Sequence, residues 1–336
     1  MRVIWTVPEF RDFLTEVGLS PGNDFLAACP GSPTANPLPP PPPAPGETIA
    51  AYRRLYFEPH RAVLEGYLST HVPGGLAALE SKVRAMDLVF YRDALVRADR
   101  GPLRSLVTEA LRSAERALPM PAGPGGHPEA HFIFGFLTMD AGVTLAGARP
   151  VIVAALEFLA RHPSPDILVK HEYGHLFRLS EPAHLAVLTE MAAAGGLAAA
   201  SIPLSEALVS EGLATLTPAY VDGRLEEAAE NPDYLAELLF FAPDQLARAR
   251  ELEAELWREF LPGSEGGDRA LLSKLFWGSG QPFNDDGLPS RTGYYLGARL
   301  GLALLSRRGS AAFPDLLTSP APELLREGCG IMGLSP

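Results

Sequence analysis

Apolar positions along the chain follow two periods. Residues 2–7 (RVIWTV) are β-branched and aromatic, which predicts a short strand, and residues 9–17 then place Phe10, Phe13, Leu14 and Val17 on one side of a short helix that Gly18 ends. Residues 48–119 keep helical spacing, interrupted at Pro59, at Pro73-Gly74-Gly75 and at Gly101-Pro102. Residues 131–139 (HFIFGFLTM) read as a strand, Asp140-Ala141-Gly142 as a turn, and 143–146 and 150–153 as further short extended pieces. From Ala154 onward nearly everything reads as helix. Two Pro/Gly-rich stretches punctuate this pattern. Residues 20–46 include an unbroken run from Pro39 to Pro43 and favour an exposed, extended loop, and residues 119–128 form the best boundary in the chain. The expectation is an α+β fold, mostly helical, with a small mixed sheet packed on helices. A mainly helical region covers 1–125, with its Pro-rich loop at 30–46, and a second domain covers 126–336.

Composition narrows the class. The 336 residues are 47% hydrophobic and 20% charged, the range of a folded globular chain. The net charge of −12 repels a phosphate backbone, so no nucleic-acid partner is expected. Cys29 and Cys329 are far apart and lack ligand spacing, which excludes a disulfide scaffold and a cysteine zinc finger and fits a reducing compartment. Charges at Arg2, Glu9, Arg11, Asp12 and Glu16 break any signal-peptide run, and the weakly apolar stretch 191–204 is too short to span a bilayer. A cytoplasmic location with no membrane partner is the expectation; oligomeric state has no signature here.

The chemistry lies in His171-Glu172-Tyr173-Gly174-His175, an H-E-x-x-H pentapeptide. On a helix, residues four apart stack on one face, so both imidazoles can bind one Zn²⁺. Ser164, Pro165 and Asp166 supply N-terminal helix signals, and Ser180-Glu181-Pro182 supplies the stop. Glu172 projects about 100° away from His171. That is the position of a general base toward a water on the metal, which points to metal-assisted hydrolysis. A catalytic zinc wants a third protein ligand. Arg178 and Glu181 stand where the H-E-x-x-H-x-x-G-x-x-H continuation needs Gly and His, so that arrangement is excluded and a downstream carboxylate remains as third ligand: Glu181, Glu190, Glu206 or Glu211. In a helix over residues 204–217 Glu211 falls in the apolar face, where a carboxylate needs a cation. Glu206 lies about 140° round that helix, on the opposite side, where it can be solvated. Glu211 is therefore favoured, with a buried salt bridge to Arg178 as its structural alternative. His127 and His131 flank Pro128 and read as loop residues.

The pair HEYGH at 171–175 and SEGLA at 210–214 resembles the gluzincin metallopeptidases, the clan of thermolysin and aminopeptidase N. The gap of 36 residues between His175 and Glu211 is longer than in those two families. It is closer to a bacterial group of predicted zinc-dependent proteases in which a helical insertion separates the motifs and a G-Y-Y-L-G segment follows, here Gly293 to Gly297. The resemblance covers roughly residues 130–305. It implies a zincin-like domain whose edge strand, 131–139, borders the metal cleft, a His171–His175–Glu211 zinc site, and hydrolysis of peptide or protein substrates. It also implies an oxyanion donor, for which Tyr294 is the candidate and Tyr295 its rival, while Arg291 could bind a carboxylate or serve the surface. The G-x-M-E-N segment of aminopeptidase N has no counterpart, so aminopeptidase action is not expected. Two other readings stand beside peptide hydrolysis: a catalytically silent zincin-like binding or regulatory protein, and an enzyme held latent by its first 125 residues.

Overall fold

The computed structural model describes residues 1–18, 45–120, 127–194, 202–277, 281–284 and 287–334. The Pro-rich run, and the core of the second Pro/Gly cluster, lie outside these described residues. The chain divides into two compact units. One comprises Arg2–Thr108 and His127–Pro165, and the other Met1, Glu109–Gly126 and Asp166–Pro336. The extended segments after residue 126 thus group with the early helices, whereas the boundary read near residue 125 places them with the later ones.

The first unit holds β1 (Arg2–Trp5), α1 (Val7–Glu16), α2 (Pro45–Tyr52), α3 (Arg61–His71), α4 (Gly75–Arg84) and α5 (Leu88–Arg100). Then come β2 (Glu129–Ile133), β3 (Ala141–Ala146), β4 (Arg149–Ala155) and the short α7 (Leu156–Leu159); α6 (Leu103–Ala117) runs across the division. Helix breaks fall at the prolines and glycines that predict them, and one more, at residues 85–87, comes without either, where the Asp87 side chain caps α5. The four strands form one mixed sheet in the order β1-β2-β4-β3, with β1 and β4 parallel to β2 and β3 antiparallel to β4.

This order corrects the expectation for residues 131–139 twice. β2 is an interior strand, because β1 takes its outer side in the register Arg2↔Glu129 to Trp5↔Phe132; the edges are β1 and β3. The strand also stops at Ile133. Beyond it, side chains take the backbone groups that a ladder would use. Tyr56 Oη accepts the N–H of Phe134 at 2.6 Å, and the Glu157 carboxylate accepts those of Gly135 and Leu137 at 3.0 Å. Phe136 and Leu137 turn to a φ of 55°. The released rings pack on the helices: Phe134 stacks on Phe10 at 3.8 Å and Phe136 meets Tyr52 edge-on at 5.4 Å. His131 is a buried member of β2, paired with Glu129 at 3.2 Å, and not a loop residue.

The second unit is helical among its described residues. α8 (Pro165–Arg178) and α9 (Pro182–Ala194) precede α10 (Leu204–Val221). The shorter α11 (Leu225–Glu230), α12 (Pro232–Leu239), α13 (Pro243–Glu251), α14 (Glu253–Phe260) and α15 (Arg269–Leu272) lead to α16 (Thr292–Arg308), α17 (Phe313–Thr318) and α18 (Ala321–Met332). α10 begins where Pro203 permits it, and the carbonyls of Gly266 and Ser264 accept its first N–H groups, from Leu204 and Ser205. No helix among the described residues is long and apolar enough to cross a membrane.

Candidate metal centre

Glycines set how closely the helices of this unit approach. A β-carbon at Gly174, inside the H-E-x-x-H segment of α8, would lie 3.1 Å from the Ala214 Cα and 3.0 Å from the Thr217 Cβ of α10. A β-carbon at Gly297 on α16 would lie 2.7 Å from the Cα of Gly212, so α10 and α16 touch backbone to backbone. α10 therefore lies against both neighbours, with Glu211 next to the Gly212 contact.

This packing gathers three donor atoms. The Nε2 atoms of His171 and His175 stand 3.1 Å apart, and Glu211 Oε2 lies 3.3 Å and 3.2 Å from them. Among the described residues, His171, His175 and Glu211 are the one group of His, Cys, Asp and Glu side chains close enough to share an ion. Their side chains are 7%, 15% and 23% exposed, so solvent reaches the group chiefly from the Glu211 side. Ser210 Oγ lies 3.0 Å from His175 Nδ1 and orients that ring. Glu172 is buried beside the two histidines in sequence and bears its charge on His175.

Electrostatics couples the three. Burial pushes the Glu211 carboxyl up, but the two imidazoles outweigh it and hold that carboxyl well below the usual range. Burial pushes His175 down, and the charges of Glu211 and Glu172 reverse this and raise it. His171 is lowered, by burial first and then by the charges of His175 and Arg291 against the pull of Glu211. The charge of Glu211 thus favours the protonated form of His175, and a divalent ion would compete with that proton.

Compared with known protein families, characterised proteins and solved structures, the chain matches none.

The other expected ligands and donors fall as follows. Glu181 and Glu190 are exposed. Glu206 is ion-paired and only 16% exposed: its carboxylate takes Arg178 Nε at 2.8 Å and Nη2 at 2.9 Å, with His184 Nδ1 at 3.4 Å. The Arg178 salt bridge imagined for Glu211 is thus made one and a half turns earlier on α10. The Tyr294 ring lies 6.0 Å from the His171 ring and 17° from parallel. Tyr295 is buried and donates its hydroxyl to Glu253. Sequence reasoning missed Ser210, although it directly precedes Glu211, and missed the roles of Gly174 and Gly297. Each stands inside a motif, but only the packing shows which face it takes.

Proposed function

We propose that this chain is a gluzincin-type zinc metallopeptidase that hydrolyses peptide bonds. The observation that carries the reading is the spacing of the three donor atoms, 3.1–3.3 Å from one another. Donors about 2.0–2.1 Å from one tetrahedral zinc are about 3.3 Å apart, so the group fits the ion without rearrangement. Two imidazoles and one carboxylate are also the donor set of a catalytic site that keeps a position open. His171 Nε2, His175 Nε2 and Glu211 Oε2 would hold the ion, with Ser210 fixing His175. When bound, zinc supplies a Lewis acid that polarises a carbonyl and makes water acidic near neutral pH.

The remaining roles belong to the chain. The Glu172 carboxylate accepts a proton from the attacking water and delivers it to the leaving amine, the work of a general base and then a general acid. The Tyr294 hydroxyl, whose ring flanks His171, donates to the oxygen on which charge develops. Tyr295 is committed to Glu253 and takes no part.

A panel of peptides offered to the zinc-loaded protein, with and without chelator, tests this. Glu172→Gln should keep zinc and lose hydrolysis, and Tyr294→Phe should keep zinc and lose rate mainly in kcat. Hydrolysis at the wild-type rate in Glu172→Gln would remove the proposed base. Retained zinc with every peptide intact would instead favour the non-catalytic binding protein.

A further inference from the structure

The helix that carries both histidines and the helix that brings Glu211 are tied together on both sides of the candidate centre. Lys170, directly before His171, is buried and bonds both oxygens of Asp222 at 2.8 and 2.7 Å, with Asp166 at 3.8 Å one turn back on its own helix. Arg178, three residues after His175, forks onto Glu206. Both cations stand on α8 and both acceptors belong to α10, Asp222 as the residue that closes it. The Lys170 ammonium therefore also lies at the negative end of the α10 dipole.

These ties are symmetric about the close approach of the two helices. Gly174, whose β-carbon would lie 3.1 Å from the Ala214 Cα, is four residues from Lys170 and four from Arg178, and Ala214 is eight residues from Glu206 and eight from Asp222. Helices that touch through a glycine and an alanine interlock little, and packing alone leaves crossing angles scattered by about 15–20°. Glu211 stands three residues from the contact, about 4.5 Å along α10, so a swivel of about 10° would move it about 0.8 Å. A metal site tolerates only about 0.2 Å. At Glu206 and Asp222, about 12 Å out, the same swivel amounts to about 2 Å, enough to part a hydrogen bond. Pro218 withholds one N–H from the ladder, yet α10 runs unbroken to Val221, so the lever is whole.

We infer that Lys170 and Asp222 are positioning residues of the metal centre: with Arg178 and Glu206 on the far side of the contact, their ion pair sets the angle at which α8 and α10 cross and so the spacing of His171, His175 and Glu211. The inference rests on the zinc-centre reading above. The pair supplies no ligand and acts through the two helices alone.

The test measures zinc affinity of the full chain by competition with a chelator, and the visible absorption of Co²⁺ bound in place of zinc, which reports coordination geometry. Wild type is compared with Lys170→Met, Lys170→Arg and Asp222→Asn. Leu256→Ala, at a buried position of α14, is the control that costs stability on neither helix. Lys170→Met should keep one metal per chain, lose about ten- to a hundredfold in affinity and change the cobalt spectrum. Lys170→Arg, which keeps the charge and can fork onto Asp222, should restore most of the affinity. Asp222→Asn keeps an acceptor without its charge and should lose affinity to a smaller degree, so it carries the comparison if Lys170→Met does not fold. Leu256→Ala should lower the melting temperature and leave affinity and spectrum as in wild type. Wild-type affinity and spectrum in Lys170→Met and Asp222→Asn, or an equal loss in Leu256→Ala, would overturn the inference and leave the zinc reading intact. A wild type that binds no metal would sink that reading instead. Crystal structures of the metal-free wild type and variants would then decide the role of the pair: a swivelled α10 with the donors spread apart supports it, and donors still 3.1–3.3 Å apart overturn it.

Discussion

Arg178 is 1% exposed and holds α8 to α10 three residues after one metal-ligating candidate and five before another, through its fork onto Glu206. Its Nη1 also donates to the carbonyls of Leu317 and Ser319, at 2.8 and 3.2 Å. Arg178→Met keeps most of the volume and removes every one of these donors. Burial pushes the Glu206 carboxyl up, and hydrogen bonds from His184 and Arg178 bring it down from 4.5 to about 2. That gap corresponds to about 3 kcal/mol shared between the two partners, and stranding a buried carboxylate costs about 3–5 kcal/mol. We therefore expect Arg178→Met to lose about 3 kcal/mol at pH 7 in denaturant unfolding. A carboxyl lowered on folding stabilises above its unfolded value and stops doing so as the pH falls through its folded value. The deficit of Arg178→Met should thus shrink between about pH 4.5 and about pH 2. Arg178→Met/Glu206→Met, which removes the pair together, should recover much of the loss. A single variant as stable as wild type, or a double variant less stable than the single, would refute the reasoning.

Other consequences follow from the same packing. Gly297→Ala forces a β-carbon 2.7 Å from the Gly212 Cα and should cost about 2–3 kcal/mol while weakening zinc binding, read by unfolding and by metal titration. Gly330→Ala, whose β-carbon meets nothing within 4 Å in α18, should be neutral or slightly stabilising. Glu157 is pushed up to about 7 by burial, against the N–H groups of Leu137 and Gly135 that favour its charged form. The folded chain then holds a proton that the unfolded chain has lost, so stability should fall by up to about 3 kcal/mol as pH rises from about 4.5 to about 7. Glu157→Gln should flatten that slope in unfolding measured at pH 5 and 8.

Much of the site was legible because it is local. His171 and His175 share a face wherever their segment is helical, and Pro165 and Pro182 bound that helix. Glu211 was legible from its place in an apolar face. Glu206 was misread because a helical wheel assigns sides but not neighbours: the side opposite Glu211 is covered, and Arg178 is what covers it. The strand after Ile133 was misread for a similar reason. Its Phe-rich composition suits a sheet, but Glu157 and Tyr56, distant in sequence, capture its backbone groups. The interior place of β2 depends on β1 pairing across more than a hundred residues, which no local pattern encodes.

The central claim is that His171, His175 and Glu211 bind one divalent ion together. Equilibrium zinc titration of the purified chain, with His171→Ala, His175→Ala and Glu211→Gln alongside, tests it most directly. The account predicts one zinc per wild-type chain and a large loss of affinity in each variant, with Glu206→Gln and Glu190→Gln keeping the stoichiometry. Wild-type affinity in Glu211→Gln, or no zinc bound by the folded wild type, would contradict it.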